Sequence, residues 1–138
     1  MGTQARFKVA GSRADIAAFA DTFEHFCTNH AVPQPVIRAF QIALDEVLTN
    51  IVDYGEAPVA EGGIEVALEL DPSALHAEII DGGKAFDPLS SAPPPDLDSA
   101  LEDRPIGGLG VHLVSTLMDE VTYQRSAGHN HLRLSKRL

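Results

Sequence analysis

Residues 36–54 carry an apolar spacing that only a helix with one buried side satisfies. Ile37, Phe40, Leu44, Val47, Leu48 and Ile51 recur at steps of three and four residues, which puts them on one stripe of a 3.6-residue helix. The stripe must be covered by other parts of the chain. Glu46 and Asn50 are four residues apart, so they stand one turn from each other on a single face. With Asp53 they are expected to point away from the stripe. Taken alone, a carboxylate and a carboxamide in that position are either a solvated helix surface or the floor of a site roofed by another segment.

The segments around this helix change period from 3.6 to 2. Residues 4–10 alternate, with Phe7 and Val9 on one side and Arg6 and Lys8 on the other, as in a half-buried strand. Gly11 interrupts it. Ser12 can cap a helix whose first turn holds Asp15, and Ile16, Phe19, Phe23 and Phe26 give that helix an apolar stripe to about residue 30, with Cys27 beside it. Pro33 and Pro35 punctuate the next link, and Pro35 suits the first turn of the long helix. Gly55 is a plausible stop for it. Ile64, Val66, Leu68 and Leu70 alternate with Glu65, Ala67 and Glu69. After a turn at 71–73, Leu75, Ala77 and Ile79 alternate with His76 and Glu78. This reads as a hairpin with one wet face, running into Asp81-Gly82-Gly83. A Pro-rich, acidic stretch from Pro88 to Pro105 lacks periodicity, as lids and disordered inserts do. Leu109, Leu113, Val114 and Leu117 then predict a buried helix. Val121 and Tyr123 start a strand, 126–130 turns it, and Leu132 and Leu134 lie on the closing strand. Strands grouped apart from helices imply an α+β fold, a two-layer sandwich with helices on one face of a mainly antiparallel sheet. The 138 residues suit a single domain over 1–138.

Charge and cysteine usage narrow the function classes. A net charge of −10 provides no basic field for displacing counterions, which argues against a nucleic-acid surface. One cysteine, Cys27, permits no internal disulfide and fits a reducing cytoplasm. No apolar run approaches the ~20 residues of a membrane helix, and the N-terminus lacks the basic and apolar regions of a signal peptide. The six histidines show no metal-ligand spacing. Cys27 and the phenylalanine stripe are most simply core, although part of that stripe could serve a partner.

Three short segments occur in a telling order: Glu46-x-x-x-Asn50 on a helix, Asp81-x-Gly83-x-x-Phe86-Asp87-Pro88 at a strand end, and Gly107-Gly108-Leu109-Gly110 opening a helix. With the long insert between the second and third, the chain resembles the GHKL ATPase superfamily of gyrase and the histidine kinases. It is more closely similar to the bacterial anti-sigma-factor serine kinases of partner-switching modules. The resemblance implies a Bergerat-type ATP-binding fold with a lid over about 88–106, and ATP or ADP with Mg²⁺ as cofactors. It implies Asn50 as the Mg²⁺ ligand and Glu46 as the general base. It implies Asp81 as acceptor for the adenine amino group, with Gly83, Phe86, Gly107, Gly108, Leu109 and Gly110 around the nucleotide. Each role is chemically reasonable. Mg²⁺ takes hard oxygen ligands and keeps several waters. A positioned carboxylate can take a proton from a hydroxyl. A helix N-terminus binds phosphate. Two positions depart from the pattern: Ala85 replaces the second glycine of the Asp81 box, and Tyr54 stands where many relatives have histidine.

The function implied is an ATP-dependent serine/threonine protein kinase. Its substrate would be a serine on an anti-anti-sigma antagonist of the STAS type, with a sigma factor or another regulator as second partner. A cytoplasmic location and a homodimer are also implied, and no contact with nucleic acid or membrane. The alternatives are a nucleotide-gated binding module without kinase activity and the detached ATPase half of a histidine kinase. No dimerising hairpin bearing a phospho-accepting histidine is expected before the domain, which disfavours the last.

Overall fold

In the computed structural model, residues 3–54, 63–82 and 108–138 are described. The elements run β1 (Thr3–Val9), α1 (Arg13–Asn29), α2 (Gln34–Tyr54), β2 (Ile64–Leu70), β3 (Ala74–Asp81), α3 (Gly108–Leu117), β4 (Glu120–Ser126) and β5 (His129–Arg137). The strands form one sheet in the order β1-β2-β3-β5-β4, and every neighbouring pair is antiparallel. The α+β reading from sequence therefore holds. Gly55, Gly83, Ala85, Phe86, Gly107 and the expected lid at 88–106 lie outside the described residues.

Period-2 alternation decides which face of the sheet is dry. Register aligns Phe7, Val66, Ile79, Leu132 and Tyr123 in one row across the five strands, and Ala5, Leu68, Ala77, Leu134 and Val121 in the next. These rows belong to a single apolar cluster with the stripes of α1 and α2. Phe23, Phe40, Leu48, Leu68 and Leu134 are among its fully buried side chains. The phenylalanine stripe of α1 is core: Phe19 meets Phe7 edge-on at 5.8 Å, and Phe23 lies 6.1 Å from Phe40 of α2. Aromatic pairs of this kind add about 0.5–1.5 kcal/mol beyond the burial of their area. The expectation fails at Leu113, which is 38 % exposed on α3 while Val114 is buried. A short helix at the flank of a sheet can turn only part of its apolar circumference inward.

Local chemistry sets the element ends. Ser12 Oγ accepts the Asp15 amide at 3.2 Å, as the spacing suggests. Helix α1 ends with Ala31 at φ 57°, where the Val32 amide reaches back to the Cys27 carbonyl at 3.0 Å, the wrap of a left-handed C-terminal cap. The Pro33 carbonyl receives the Val36 and Ile37 amides, and Pro35 gives up no bond in this first turn. The last hairpin turns more tightly than 126–130 suggests. Ser126 and His129 still pair, so only Ala127 and Gly128 turn, both with positive φ, as in a type I′ connection. Asn130 consequently belongs to β5.

The opposite face is polar and knitted by its own pairs. Arg6 contacts Glu65 at 3.0 Å and His131 contacts Glu78 at 2.8 Å. At the β2–β3 turn, Asp71 Oδ1 accepts from the Ser73 amide, the Ser73 hydroxyl and the Ala74 amide, each at 2.8 Å. Asp71 Oδ2 bonds His76 Nε2 at 2.9 Å, and His76 Nδ1 bonds Ser135 Oγ on β5 at 2.7 Å. The His76 hydrogen bond first, and those from Ser73 and Ala74 after it, hold the Asp71 carboxyl well below the usual carboxylate range.

Two predictions follow from these contacts. Gly63 has φ +69°, and a Cβ there would stand 2.7 Å from the Val9 carbonyl oxygen, so Gly63→Ala should destabilise the fold by about 1–3 kcal/mol in denaturant unfolding. Because folding lowers the Asp71 pKa, its contribution is present above the unfolded value of about 3.9 and disappears as pH falls through the folded one. Asp71→Asn should therefore melt below the wild type at pH 7, with the difference shrinking in scans taken under pH 4.

Candidate functional site

Glu46 and Asn50 belong to a row of α2 that begins in the core. Ala39, Ala43, Glu46 and Asn50 follow one another at steps of four, three and four residues, so they climb one ridge of the helix. Ala39 and Ala43 are buried, and Glu46 and Asn50 are half-buried. The freely exposed side of α2 is elsewhere, at Arg38, Ile42 and Asp45. Thus the pair does not point fully away from the apolar stripe, as the spacing alone suggested. It continues a covered ridge at the place where that ridge becomes polar. A helix surface chosen only for solvation has no reason to place its carboxamide there.

Asp81 is the last residue of β3 and is 9 % exposed. It follows Leu75, Ala77 and Ile79 on the dry face, the face that α1 and α2 cover. Ile64 at the start of β2 and Val9 at the end of β1 occupy the same end of the sheet. Connectivity directs the helices toward it. Helix α1 leaves from that end, and α2, packed against α1, returns. Past its last turn, residues 55–62 separate α2 from Gly63, which abuts Val9. Helix α3 is fixed at the far end. Lys136 Nζ donates to the Leu117 carbonyl at 2.9 Å, and the Asp119 amide donates to Ser135 O at 2.9 Å. The Arg137 amide donates to Asp119 Oδ2 at 2.7 Å. A helix of 10 residues packed along α2 starts about 15 Å from that anchor. The last turn of α3 is thus held at the end of the sheet opposite Asp81, and α3 packs against α2. Gly108, Leu109 and Gly110 supply the first turn of α3, where backbone amides lack partners within the helix.

Sequence reasoning passed over the groups that hold Asp81. Asn130, 6 % exposed, pairs with Asp81 in the β3–β5 register, and its Nδ2 donates to Asp81 Oδ1 at 3.1 Å. Asn130 Oδ1 accepts from the Tyr123 hydroxyl and from Arg125 Nη1, the latter at 3.1 Å. A signal was available: Asn130, Leu132 and Leu134 share one phase of β5, and a polar residue in an inward phase needs a partner. It was hidden by assigning Asn130 to the turn.

Other described groups stand apart from these residues. Cys27 is fully buried and its thiol is pushed up to about 12 by that burial, which leaves no thiolate for chemistry. A shallow hollow of about 110 Å³ among Gln4, Arg6, Glu69, His76, Glu78 and Arg133 opens on the polar face, away from Asp81. His76 and Glu78 there are bonded to Asp71, Ser135 and His131. No helix among the described residues is long and apolar enough to cross a membrane.

Known proteins resemble this chain in sequence and fold. The serine/threonine-protein kinase BtrW of Bordetella bronchiseptica is 35% identical over 68% of this chain and 66% of its own length. The serine-protein kinase RsbW of Bacillus cereus is 32% identical over 67% of this chain and 59% of its own length. The chain thus spans somewhat under two thirds of these relatives. Among solved structures, the RsbU and RsbW domains of Rv1364c from Mycobacterium tuberculosis superpose with a TM-score of 0.72 at 18% identity, covering 99% of this chain and 32% of that one, a likeness of fold. The profile of the histidine kinase-like ATPase domain matches residues 9–136, and the chain belongs to that family.

Proposed function

We propose that this protein is an ATP-dependent serine/threonine protein kinase of the anti-sigma-factor type, acting on a serine of a STAS-type antagonist protein. The observation that carries the reading is the ridge of α2 on which a covered apolar row passes into Glu46 and Asn50. Membership of the ATPase family and the kinase names of BtrW and RsbW supply the chemical class.

The residues suit a magnesium nucleotide. Asn50 presents a carboxamide oxygen and Glu46 a carboxylate one turn away, both hard donors of the kind Mg²⁺ accepts alongside phosphate oxygens and water. Asn50 would hold the ion. Bound there, Mg²⁺ would neutralise charge on the phosphates during transfer. Glu46 would orient the substrate serine and take its proton, for which its half-buried position on the ridge is suitable. The first turn of α3, at Gly108 and Gly110, would give backbone amides to the phosphates. Asp81 would accept the 6-amino group of adenine. A carboxylate only accepts hydrogen bonds, so it recognises a donating base edge.

Phosphate placed on the antagonist adds about two negative charges. This protein carries −10, so the modified antagonist would be repelled and the kinase released to a second partner, a sigma factor or another regulator. A cytoplasmic homodimer fits this role.

Two substitutions separate the assignments. Asn50→Ala should weaken Mg·ATP binding by at least about a hundredfold; calorimetry returning the wild-type affinity would sink the metal role. Glu46→Gln should bind Mg·ATP as the wild type does while transfer of labelled phosphate to an antagonist falls by about 10²–10⁴. Undiminished transfer would remove Glu46 as base. Wild-type protein that binds ATP but transfers nothing to any STAS-type protein would be a nucleotide-gated binding module instead.

A further inference from the structure

Two adjacent strands of the sheet change from apolar to polar at the same rung. On β3 the inward series Leu75, Ala77, Ile79 ends in Asp81, and on β5 the inward series Leu134, Leu132 ends in Asn130. These two are the buried polar side chains among the described residues. Register makes them neighbours and places Arg125 of β4 beside Asn130. An apolar pair would fill the rung at less expense, since burying a polar group is unfavourable unless its hydrogen bonds are met.

Three side-chain bonds at this rung run in one direction. Arg125 has only donors to offer, and its Nη1 lies 3.1 Å from Asn130 Oδ1. The Tyr123 hydroxyl donates to the same oxygen. With both donors on Oδ1, the amide cannot be turned over, and Nδ2 must face Asp81, 3.1 Å from Oδ1 of the carboxylate. Hydrogen bonds arranged head to tail in a buried setting polarise one another. The strand ladders on both sides hold the participating backbones.

We propose that Asn130, locked in orientation by Tyr123 and Arg125, is a positioning residue that fixes the Asp81 carboxylate for a purine edge and sets selection of 6-amino over 6-oxo purine nucleotides. The proposal rests on the reading of Asp81 as the base acceptor. Asn130 meets no substrate in this scheme and acts through Asp81. A donor pinned on one oxygen determines the plane of the carboxylate and the direction in which it accepts. Without that donor the carboxylate is held less firmly in that plane, and a base with a carbonyl at position 6 is rejected less sharply.

The test compares Mg·ATP with Mg·ITP, which differ at the base through the 6-amino and 6-oxo groups. Dissociation constants are measured by calorimetry for the wild type, Asn130→Leu and Tyr123→Phe. Asn130→Leu keeps the size of the side chain but removes its bonds to Asp81, Tyr123 and Arg125, so a merely structural role predicts lower stability with unchanged selectivity. The expected result is a fall of about tenfold in the ATP:ITP affinity ratio for Asn130→Leu and a smaller fall, about threefold, for Tyr123→Phe. Circular dichroism identifies a variant that does not fold, and if Asn130→Leu is one, Tyr123→Phe decides. Wild-type selectivity in the folded variants overturns the relay and leaves the nucleotide site standing. Wild-type protein that binds ATP and ITP equally overturns it as well. Wild-type protein that binds neither removes the nucleotide reading itself, and the relay with it.

Discussion

The dry face of the sheet is the constraint from which the rest follows. Five antiparallel strands present Phe7, Val66, Ile79 and Leu132 in one row and Leu68, Ala77 and Leu134 in the next, and this surface is unstable in water until helices cover it. Helices α1 and α2 do so with complementary stripes, joined through Phe19, Phe23 and Phe40. The reverse face needs no cover, because it is polar: Arg6 pairs with Glu65, His76 with Asp71 and His131 with Glu78 there. An element that contributes apolar surface is therefore confined to one side. Any site built from helix and sheet together must lie at a margin of that single interface.

The margin is where the apolar rows end. On α2 the ridge of Ala39 and Ala43 gives way to Glu46 and Asn50; on β3 and β5 the inward phase gives way to Asp81 and Asn130. Both transitions keep the phase of their element, so the polar groups remain half-buried or buried. Partial burial is what gives a carboxylate or a carboxamide chemical value, since fewer waters compete for its lone pairs. The far end of the sheet does a different job. There Lys136, Asp119 and Arg137 fasten α3 to β5, and Asp71 fastens the β2–β3 turn. One end of the fold is tied by these local hydrogen bonds, and the polar pair Asp81 and Asn130 lies at the other.

Much of this was readable before any coordinates. The stripe of α2, the alternation of β2 and β3 and the cap at Ser12 have local causes, and their residues are the ones the structure uses. Leu113 misled because an apolar residue on a short helix says nothing about how much of the circumference its neighbours reach. Asn130 misled because a Gly-containing stretch reads as a turn of uncertain length, whereas positive φ at Ala127 and Gly128 alone closes the hairpin. A shift of two residues there separates a loop asparagine from a buried one bonded to Asp81.

The sequence by itself determined the kinds of element, their order and the side on which each is dry, because periodicity is a property of neighbouring residues along the chain. It also singled out Glu46, Asn50 and Asp81, through the resemblance of their segments to those of a known family. Only the tertiary structure decided that Glu46 and Asn50 continue a covered ridge and that Asn130, Tyr123 and Arg125 converge on Asp81. Those relations depend on strand register and helix packing, which join residues 49 positions apart and leave no periodic trace in the chain.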